Sequence, residues 1–436
     1  MRKPSISIIG LGKLGSPMAA AFASRGYRVI GLDINSDFVR LLNQGKAPVF
    51  EPQLSEYLSA NRERISATQD YREAVLKSEI TFIIVPTPSK DDGGFSTKYV
   101  IEAGKQIGEA LKEKPNYHLV VLTSTVAPGA TEKDLLPVLE EYSGKKCKRD
   151  FDLCYNPEFI ALGNVISGLL EPDFVLIGES SQKGGEILEN FYKGLCQKNP
   201  PIKKMSIINA EITKIALNTY VTTKISYANM LAELCEKIPG ANVDVVTDAL
   251  GCDSRIGHKY LKGALGYGGP CFPRDGRALI YTAEKFGISL PIAKATDEIN
   301  QRQVPRLVKK ILNFLSENGR VSILGLSYKP DTDVIEESQG LEIAKILSEK
   351  KIPVTVYDPA AMKNARQILN NIAFANSLKE SVENSDIVLL TIPCKEFKEI
   401  EPDWFKPGAI LIDCWRMLDP QKYGERVKYI GLGINY

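Results

Sequence analysis

Ile6-Ser7-Ile8-Ile9-Gly10-Leu11-Gly12-Lys13-Leu14-Gly15, near the N-terminus, decides the fold. A short apolar run enters a G-x-G-x-x-G turn, and the spacing predicts a helix beyond it over Met18 to Ser24. Glycine-rich turns are common, so the motif alone is a weak signal; strand before and helix after are the context it requires. Such a turn brings backbone N–H groups to a helix N-terminus, where a pyrophosphate is welcome. A second apolar run, Tyr27-Arg28-Val29-Ile30-Gly31-Leu32, ends in Asp33, 18 residues after Gly15. A carboxylate there accepts hydrogen bonds from a ribose 2′-OH and repels a 2′-phosphate, which favours NAD over NADP. Gly10, Gly12, Lys13, Leu14, Gly15 and Asp33 are therefore the expected cofactor-binding residues. A Rossmann-like fold that binds no dinucleotide is the competing reading.

The pattern recurs. Val321-Ser322-Ile323-Leu324-Gly325-Leu326 repeats the first strand and turn, and Ile352-Pro353-Val354-Thr355-Val356-Tyr357-Asp358 repeats the strand ending in Asp. Ser78 to Pro86 is matched by Ser385 to Pro393. Continuous apolar strands alternating with amphipathic helices imply parallel sheets buried on both faces. Two such units in the same order imply an α/β chain of two Rossmann-like doubly wound domains; one large sheet is the alternative. Between them, Ile207 to about Lys237 has helical spacing with no Gly or Pro until Pro239-Gly240. It reads as a long central helix within a helical domain, and as a dimer surface. The expected divisions are 1–203, 204–302 and 303–436. The second glycine turn, Gly325-Leu326-Ser327-Tyr328-Lys329-Pro330, lacks the third glycine and carries a lysine, which suits another nucleotide belonging to a substrate.

At 436 residues the chain is too long for one ordinary core. With 55 basic against 53 acidic residues it has no global field for nucleic acid or a membrane, so an anionic ligand needs a local site. No signal peptide or apolar run long enough to span a bilayer is evident, and a cytoplasmic protein is expected. The eight cysteines form no CxxC pair, which argues against zinc, and their scatter suits reduced thiols. The two histidines, His118 and His258, read as structural or surface residues, and no metal site is expected.

Thr87, in Pro86-Thr87-Pro88, and Thr125, in Ser124-Thr125-Val126, follow predicted strands at the edge where open α/β sheets bind ligands. Ordinary turn capping is the alternative for both. The densest anomaly is Gly263-Ala264-Leu265-Gly266-Tyr267-Gly268-Gly269-Pro270-Cys271-Phe272-Pro273-Arg274-Asp275. Its four glycines allow close approach of backbone to ligand. A helix starting near Phe272 would put Cys271 at its N-terminus, where the dipole favours the thiolate. An inert cysteine in a tight turn is the plainer reading.

Gly268 to Asp275, taken with Asn156-Pro157-Glu158-Phe159, Glu211-Ile212-Thr213-Lys214-Ile215-Ala216-Leu217-Asn218, Arg255-Ile256-Gly257 and Gly325-Leu326-Ser327-Tyr328-Lys329, resembles the UDP-glucose/GDP-mannose dehydrogenase family over nearly the whole chain. The resemblance implies two successive NAD-dependent oxidations of a nucleotide-sugar C6 alcohol, the second through a thioester on Cys271. It implies that Lys214 and Asn218, four apart on one helix, bracket the reacting oxygen. It assigns Glu158 and Asp275 to water activation and proton handling, with Thr125 ordering the water. Phe159, Arg255, Tyr260, Lys262, Tyr267, Gly268 and Lys329 would surround the substrate, Arg255 reaching in from a partner subunit of a homodimer or higher assembly. Phe159, where enzymes acting on N-acetylhexosamines tend to have arginine, favours UDP-glucose, with a GDP- or N-acetylated sugar second.

Several positions depart from the family pattern. Pro270 replaces serine, Arg274 replaces lysine, and Leu162 stands where many members carry glutamate. Glu336 replaces an arginine that commonly holds the cofactor pyrophosphate, so weaker NAD binding or a neighbouring cation is expected. Two readings of other kinds compete. A two-electron hydroxyacid dehydrogenase of the 6-phosphogluconate type would not need Cys271, and a nucleotide-sugar sensor would bind without forming NADH.

Overall fold

The computed structural model describes residues 2–424 and 426–435. The chain divides into two compact units, one ending at Ala216 and the other beginning at Leu217. The boundary falls inside a single unbroken helix, Ile207–Cys235.

The first unit is built on β1 (Ile6–Ile9), β2 (Val29–Leu32), β3 (Ile65–Thr68), β4 (Ile80–Ile83), β5 (His118–Leu122), β6 (Phe151–Tyr155), β7 (Val175–Glu179) and β8 (Ile202–Met205). Their order across the sheet is β3-β2-β1-β4-β5-β6-β7-β8. Pairing is parallel throughout except where β6 meets β7. β1, β4, β5 and β6 are buried along their whole length, as a sheet covered on both faces requires. His118 tolerates its place in β5 by staying neutral: burial pushes its imidazole down to about 3, and Nε2 meets Thr81 Oγ1 at 2.8 Å. One covering layer is aromatic, with Phe22 and Phe191 ring centroids 5.0 Å apart edge to face.

The second unit carries β9 (Val321–Leu324), β10 (Val354–Tyr357), β11 (Ala373–Phe374), β12 (Ile387–Leu390), β13 (Ile410–Asp413) and β14 (Lys428–Gly431), in the order β11-β10-β9-β12-β13-β14. The two sheets are separate and share the reversal of strand order characteristic of doubly wound folds. Ile6 pairs with Ile80 across β1 and β4, as Val321 pairs with Ile387 across β9 and β12.

The repeat extends to single atoms, and it corrects one expectation. Gly10 and Gly325 take φ of +101° and +109°, a backbone that L side chains rarely adopt. A Cβ on Gly15 would lie 1.8 Å from the Gly10 carbonyl oxygen, and one on Gly340 would lie 2.1 Å from that of Gly325. The second domain therefore does have the third glycine. Its turn contains ten more residues than the first, so Gly340, at the start of the helix Gln339–Glu349, stands 15 rather than 5 residues after the turn glycine. The first-domain helix, Gly15–Ser24, begins three residues before the predicted Met18 because Gly15 is already helical.

Replacing Gly340 by Ala is expected to destabilise the protein by about 1–3 kcal/mol, the usual range for overpacking against an unyielding backbone. Gly276→Ala, in a helix with no atom within 4 Å of its Cβ position, is expected to be neutral or to stabilise by up to about 1 kcal/mol. Thermal unfolding of the two variants checks the contrast; equal losses would sink the close-contact account.

Candidate active site

In the first unit, the three turn glycines have three different jobs. Gly10 bends the chain, Gly15 lets helix and turn touch, and the Cβ position of Gly12 has nothing within 4 Å. Open space above Gly12 is what a pyrophosphate approaching the backbone needs. The helix that follows has no capping side chain on its N-terminus and no acid in its first turn, so it presents its positive end to an anion. Lys13 stands exposed on the turn and Leu14 half-buried beside it. Asp33 is held by two backbone donors, Leu11 N to Oδ2 at 2.7 Å and Asn35 N to Oδ1 at 2.8 Å. Each oxygen keeps acceptor capacity, so these residues fit an NAD adenosine end.

The loops after β4 and β5 are tied together: Thr87 Oγ1 donates to the Thr125 carbonyl at 2.7 Å and Ser124 Oγ to the Val85 carbonyl at 2.7 Å. The Thr87 hydroxyl thus braces a turn, while Thr125 is left half-buried at the strand edge. Two carboxylates that the motifs did not single out hold the neighbouring loops. Fully buried Glu211, on the central helix, accepts from Gly129 N at 2.5 Å and Thr131 N at 2.9 Å. Glu51 accepts from Gly163 N at 2.8 Å and Val165 N at 2.7 Å, fixing the far end of the segment that carries Glu158. Leu162 packs against the apolar core there.

Glu158, Phe159 and Lys214 come together. Lys214 Nζ donates to the Glu158 carbonyl at 2.7 Å and lies 4.8 Å from the Phe159 ring centroid. Enclosure of the Glu158 carboxyl pushes it up to about 7, against the opposing pull of the Tyr192 hydroxyl and the Lys214 charge. The hydrogen bonds around the carboxyl favour the same protonated state. Asn156 Nδ2 must face the Leu176 carbonyl, 2.8 Å away, so Oδ1 faces Tyr192 Oη at 2.6 Å. Tyr192 Oη also lies 2.8 Å from Glu158 Oε1, and it has one proton for the two acceptors. Both contacts are satisfied when Tyr192 donates to Asn156 and a protonated Glu158 donates to Tyr192.

In the second unit, Cys271 caps the helix Phe272–Lys285, exposed, with Pro273 among the first helical positions and Asp275 in the first turn. Asp275 is fully buried; its Oδ2 accepts from Asn218 Nδ2 at 2.7 Å and its Oδ1 pairs with Arg274 at 3.2 Å. The approach to Cys271 lies flat on the long turn of the second domain. Gly269 N donates to the Glu336 carbonyl at 3.0 Å, and a Cβ on Gly268 would lie 2.2 Å from the Glu337 carbonyl oxygen. Glu337 pairs with Arg277 at 2.6 Å. Buried Tyr267 is clamped through its backbone by Asn300, and Tyr260 and Tyr267 both set their rings edge-on to Phe272. Lys329 is half-buried on the long turn and Lys262 is exposed. Arg255 is not among these groups: it is exposed, and its guanidinium pairs with Asp253 in its own loop at 2.6 Å. Asp358, the counterpart of Asp33, is buried and already accepts from Leu326 N, Ser327 N, Ala360 N and Ala361 N. It braces the long turn with four backbone donors, where half-buried Asp33 holds two.

Three family models cover most of the chain: the NAD-binding domain of the UDP-glucose/GDP-mannose dehydrogenase family at residues 4–196, its central domain at 208–302 and its UDP-binding domain at 322–420. The chain belongs to the UDP-glucose/GDP-mannose dehydrogenase family. It is 36% identical over 403 residues to the UDP-glucose 6-dehydrogenase AglM of Haloferax volcanii, covering 92% of this chain and 93% of that one. It is 32% identical to the GDP-mannose 6-dehydrogenase of Azotobacter vinelandii, covering 91% and 93%. The solved UDP-glucose dehydrogenase of Pyrobaculum islandicum superposes with a TM-score of 0.90 at 32% identity, covering 99% and 98%. The protein is thus an NAD-dependent oxidoreductase, a nucleotide-sugar 6-dehydrogenase. Among the described residues no helix is long and apolar enough to cross a membrane.

A raised carboxyl stabilises the fold below its unfolded value and loses that contribution as pH rises through about 7. Between pH 5.5 and 8.5 Glu158 is therefore expected to remove about 2 kcal/mol of stability. Glu158→Gln, whose amide mimics the protonated acid, is expected to flatten that part of the profile. Denaturant unfolding of both proteins at the two pH values is the check; parallel profiles would overturn the protonated state.

Proposed function

We propose that this family member takes the C6 alcohol of UDP-glucose to the carboxylate of UDP-glucuronate through a thioester on Cys271. The observation that carries the reading is an exposed thiol at a helix N-terminus whose first turn buries Asp275 against Asn218. NAD, when bound on Gly10, Gly12, Lys13, Leu14, Gly15, Asp33, Thr87 and Thr125, supplies the hydride acceptor, once for each two-electron oxidation.

The remaining chemistry falls to the chain's own groups. Lys214 and Asn218, one turn apart on the same helix, stabilise negative charge as it develops on the sugar oxygen. Cys271 Sγ then bonds to the aldehyde carbon, and the oxygen becomes a hydroxyl. That tetrahedral carbon can release a hydride, which a flat aldehyde cannot readily do. Loss of the hydride together with the hydroxyl proton leaves the thioester. Water adds to it, the C–S bond breaks and the thiolate is restored. Glu158, in the ionised form that a value near neutrality makes accessible, takes the water's proton, with Thr125 ordering the water and Asp275 holding Asn218 in place.

Phe159, standing where the resemblance puts arginine in enzymes acting on N-acetylhexosamines, supports a hexose without an N-acetyl group. Tyr260, Lys262, Tyr267, Gly268 and Lys329 are assigned to the nucleotide sugar, with Arg255 supplied by a partner. A homodimer through the central helix is supported by its exposed Tyr220, Tyr227 and Leu234, apolar groups that a monomer would leave in water.

Limiting UDP-glucose with excess NAD is expected to yield about two NADH per sugar, and Cys271→Ser to slow acid formation on the order of 1000-fold. Absorbance at completion and product analysis check both. One NADH per sugar would sink the thioester route. No turnover with UDP-glucose, but two NADH with GDP-mannose, would move the substrate and leave the mechanism.

A further inference from the structure

Away from the groups above, the second unit brings Asp248, Cys252 and His258 together at the end of the helix Val243–Gly251. Asp248 and Cys252 lie four apart, one turn along the same face. The chain then turns through Asp253 to Gly257, where a φ of +70° sends it back. His258 Nε2 arrives 3.2 Å from Asp248 Oδ1 and 3.9 Å from Cys252 Sγ, and all three donor atoms lie within 4.8 Å of one another.

These separations fit a tetrahedral ion. Bond lengths of about 2.0 Å to oxygen and nitrogen and about 2.3 Å to sulfur put such donors roughly 3.3 Å (N to O) and 3.5 Å (S to N) apart. The arrangement is also braced. The imidazole lies on Gly251, where a Cβ would come within 2.5 Å of its Cδ2, and Lys224 Nζ holds the Ile256 and Gly257 carbonyls at 3.0 and 3.2 Å. A cleft of about 510 Å³, lined by Asp244, Asp248, His258 and Lys262 among others, opens beside Asp248 and His258 and has room for a water as fourth ligand. Asp244 is engaged with Arg416 at 2.8 Å, so it does not compete for the ion.

We propose that Asp248, Cys252 and His258 form a binding site for one zinc-class divalent ion. Thiolate and imidazole donors select zinc, cobalt or copper-like ions over magnesium or calcium. The bound ion would close the seven residues from Cys252 to His258 into a ring and restrain Arg255 within it. The site does not depend on the reaction assigned above.

The test is a Co2+ titration of chelator-treated protein, followed by Zn2+ displacement. The expected signature is one equivalent per chain with tetrahedral d–d bands and a thiolate-to-cobalt charge-transfer band, both removed by zinc. Cys252→Ser should abolish the charge-transfer band, and His258→Gln should weaken binding by about 10- to 100-fold or more. Cys271→Ser, which removes the other exposed thiol, should leave both signals in place. Circular dichroism of the metal-free variants separates a lost site from a lost fold. Signals that survive Cys252→Ser but vanish with Cys271→Ser, or no binding at all to folded wild-type protein, would overturn the proposal.

Discussion

The contact on which both halves of this protein depend is a helix touching a turn with no side chain between them. Gly15 lies on the Gly10 carbonyl and Gly340 on the Gly325 carbonyl, each so close that a methyl group would overlap an oxygen. That contact sets where each helix begins, and hence where its positive end points relative to the strand edge. The carboxylates at the ends of β2 and β10 follow from it. Asp33 and Asp358 each reach back to the N–H of the residue after the turn glycine, Leu11 and Leu326. One geometry, used twice, has then been put to two uses. The short first turn leaves space over Gly12 for a ligand. The second is lengthened by ten residues, and its added chain becomes the bed on which Gly268 and Gly269 lie before Cys271.

Carboxylates do much of the positioning by accepting backbone N–H groups. Glu211 and Glu51 each collect two, and burial raises the cost of leaving any such donor unmet. Both serve loops next to assigned groups: Glu211 pins the loop after Thr125 to the helix that carries Lys214, and Glu51 pins the segment after Phe159. Glu158 is the contrasting case. Among the described residues its carboxyl meets Tyr192 and no backbone donor, and enclosure raises it towards neutrality instead of locking it as a charge. A carboxyl so placed can hold or release a proton near physiological pH, the property that the proposed water activation requires.

Much of this was legible in the sequence because local pattern encodes it. Apolar runs, turn glycines and strand-ending Asp residues are periodic or adjacent features, and they led directly to two doubly wound sheets and to Cys271 at a helix N-terminus. What escaped is non-local. Gly340 was hidden because the ten inserted residues broke the spacing by which its counterpart is recognised. Tyr192 and Glu51 act on loops 34 or more residues away, so no motif links them to Glu158. Thr87 stood at a ligand edge by position, yet its hydroxyl is spent on a neighbouring carbonyl. Asp248, Cys252 and His258 have spacings that match no common metal pattern; a helix end and one left-handed glycine join them.

The departures from the family pattern near Cys271 separate what a backbone does from what a side chain does. Pro270 has no N–H to give, but the anchoring donor here is Gly269 N, which reaches the Glu336 carbonyl at 3.0 Å. Glu336 in turn serves through its carbonyl, a service any residue provides, while its side chain stands exposed. Charge reversal at that position therefore leaves the bed of the cysteine loop intact. The next carboxylate, Glu337, is matched by Arg277 at 2.6 Å. The Gly269 contact joins two peptide groups, so it does not depend on which side chain stands at position 336, whereas Tyr267 earlier in the loop is held by the Asn300 side chain. What the exposed carboxylate of Glu336 does alter is the electrostatics met by an anion that approaches the turn.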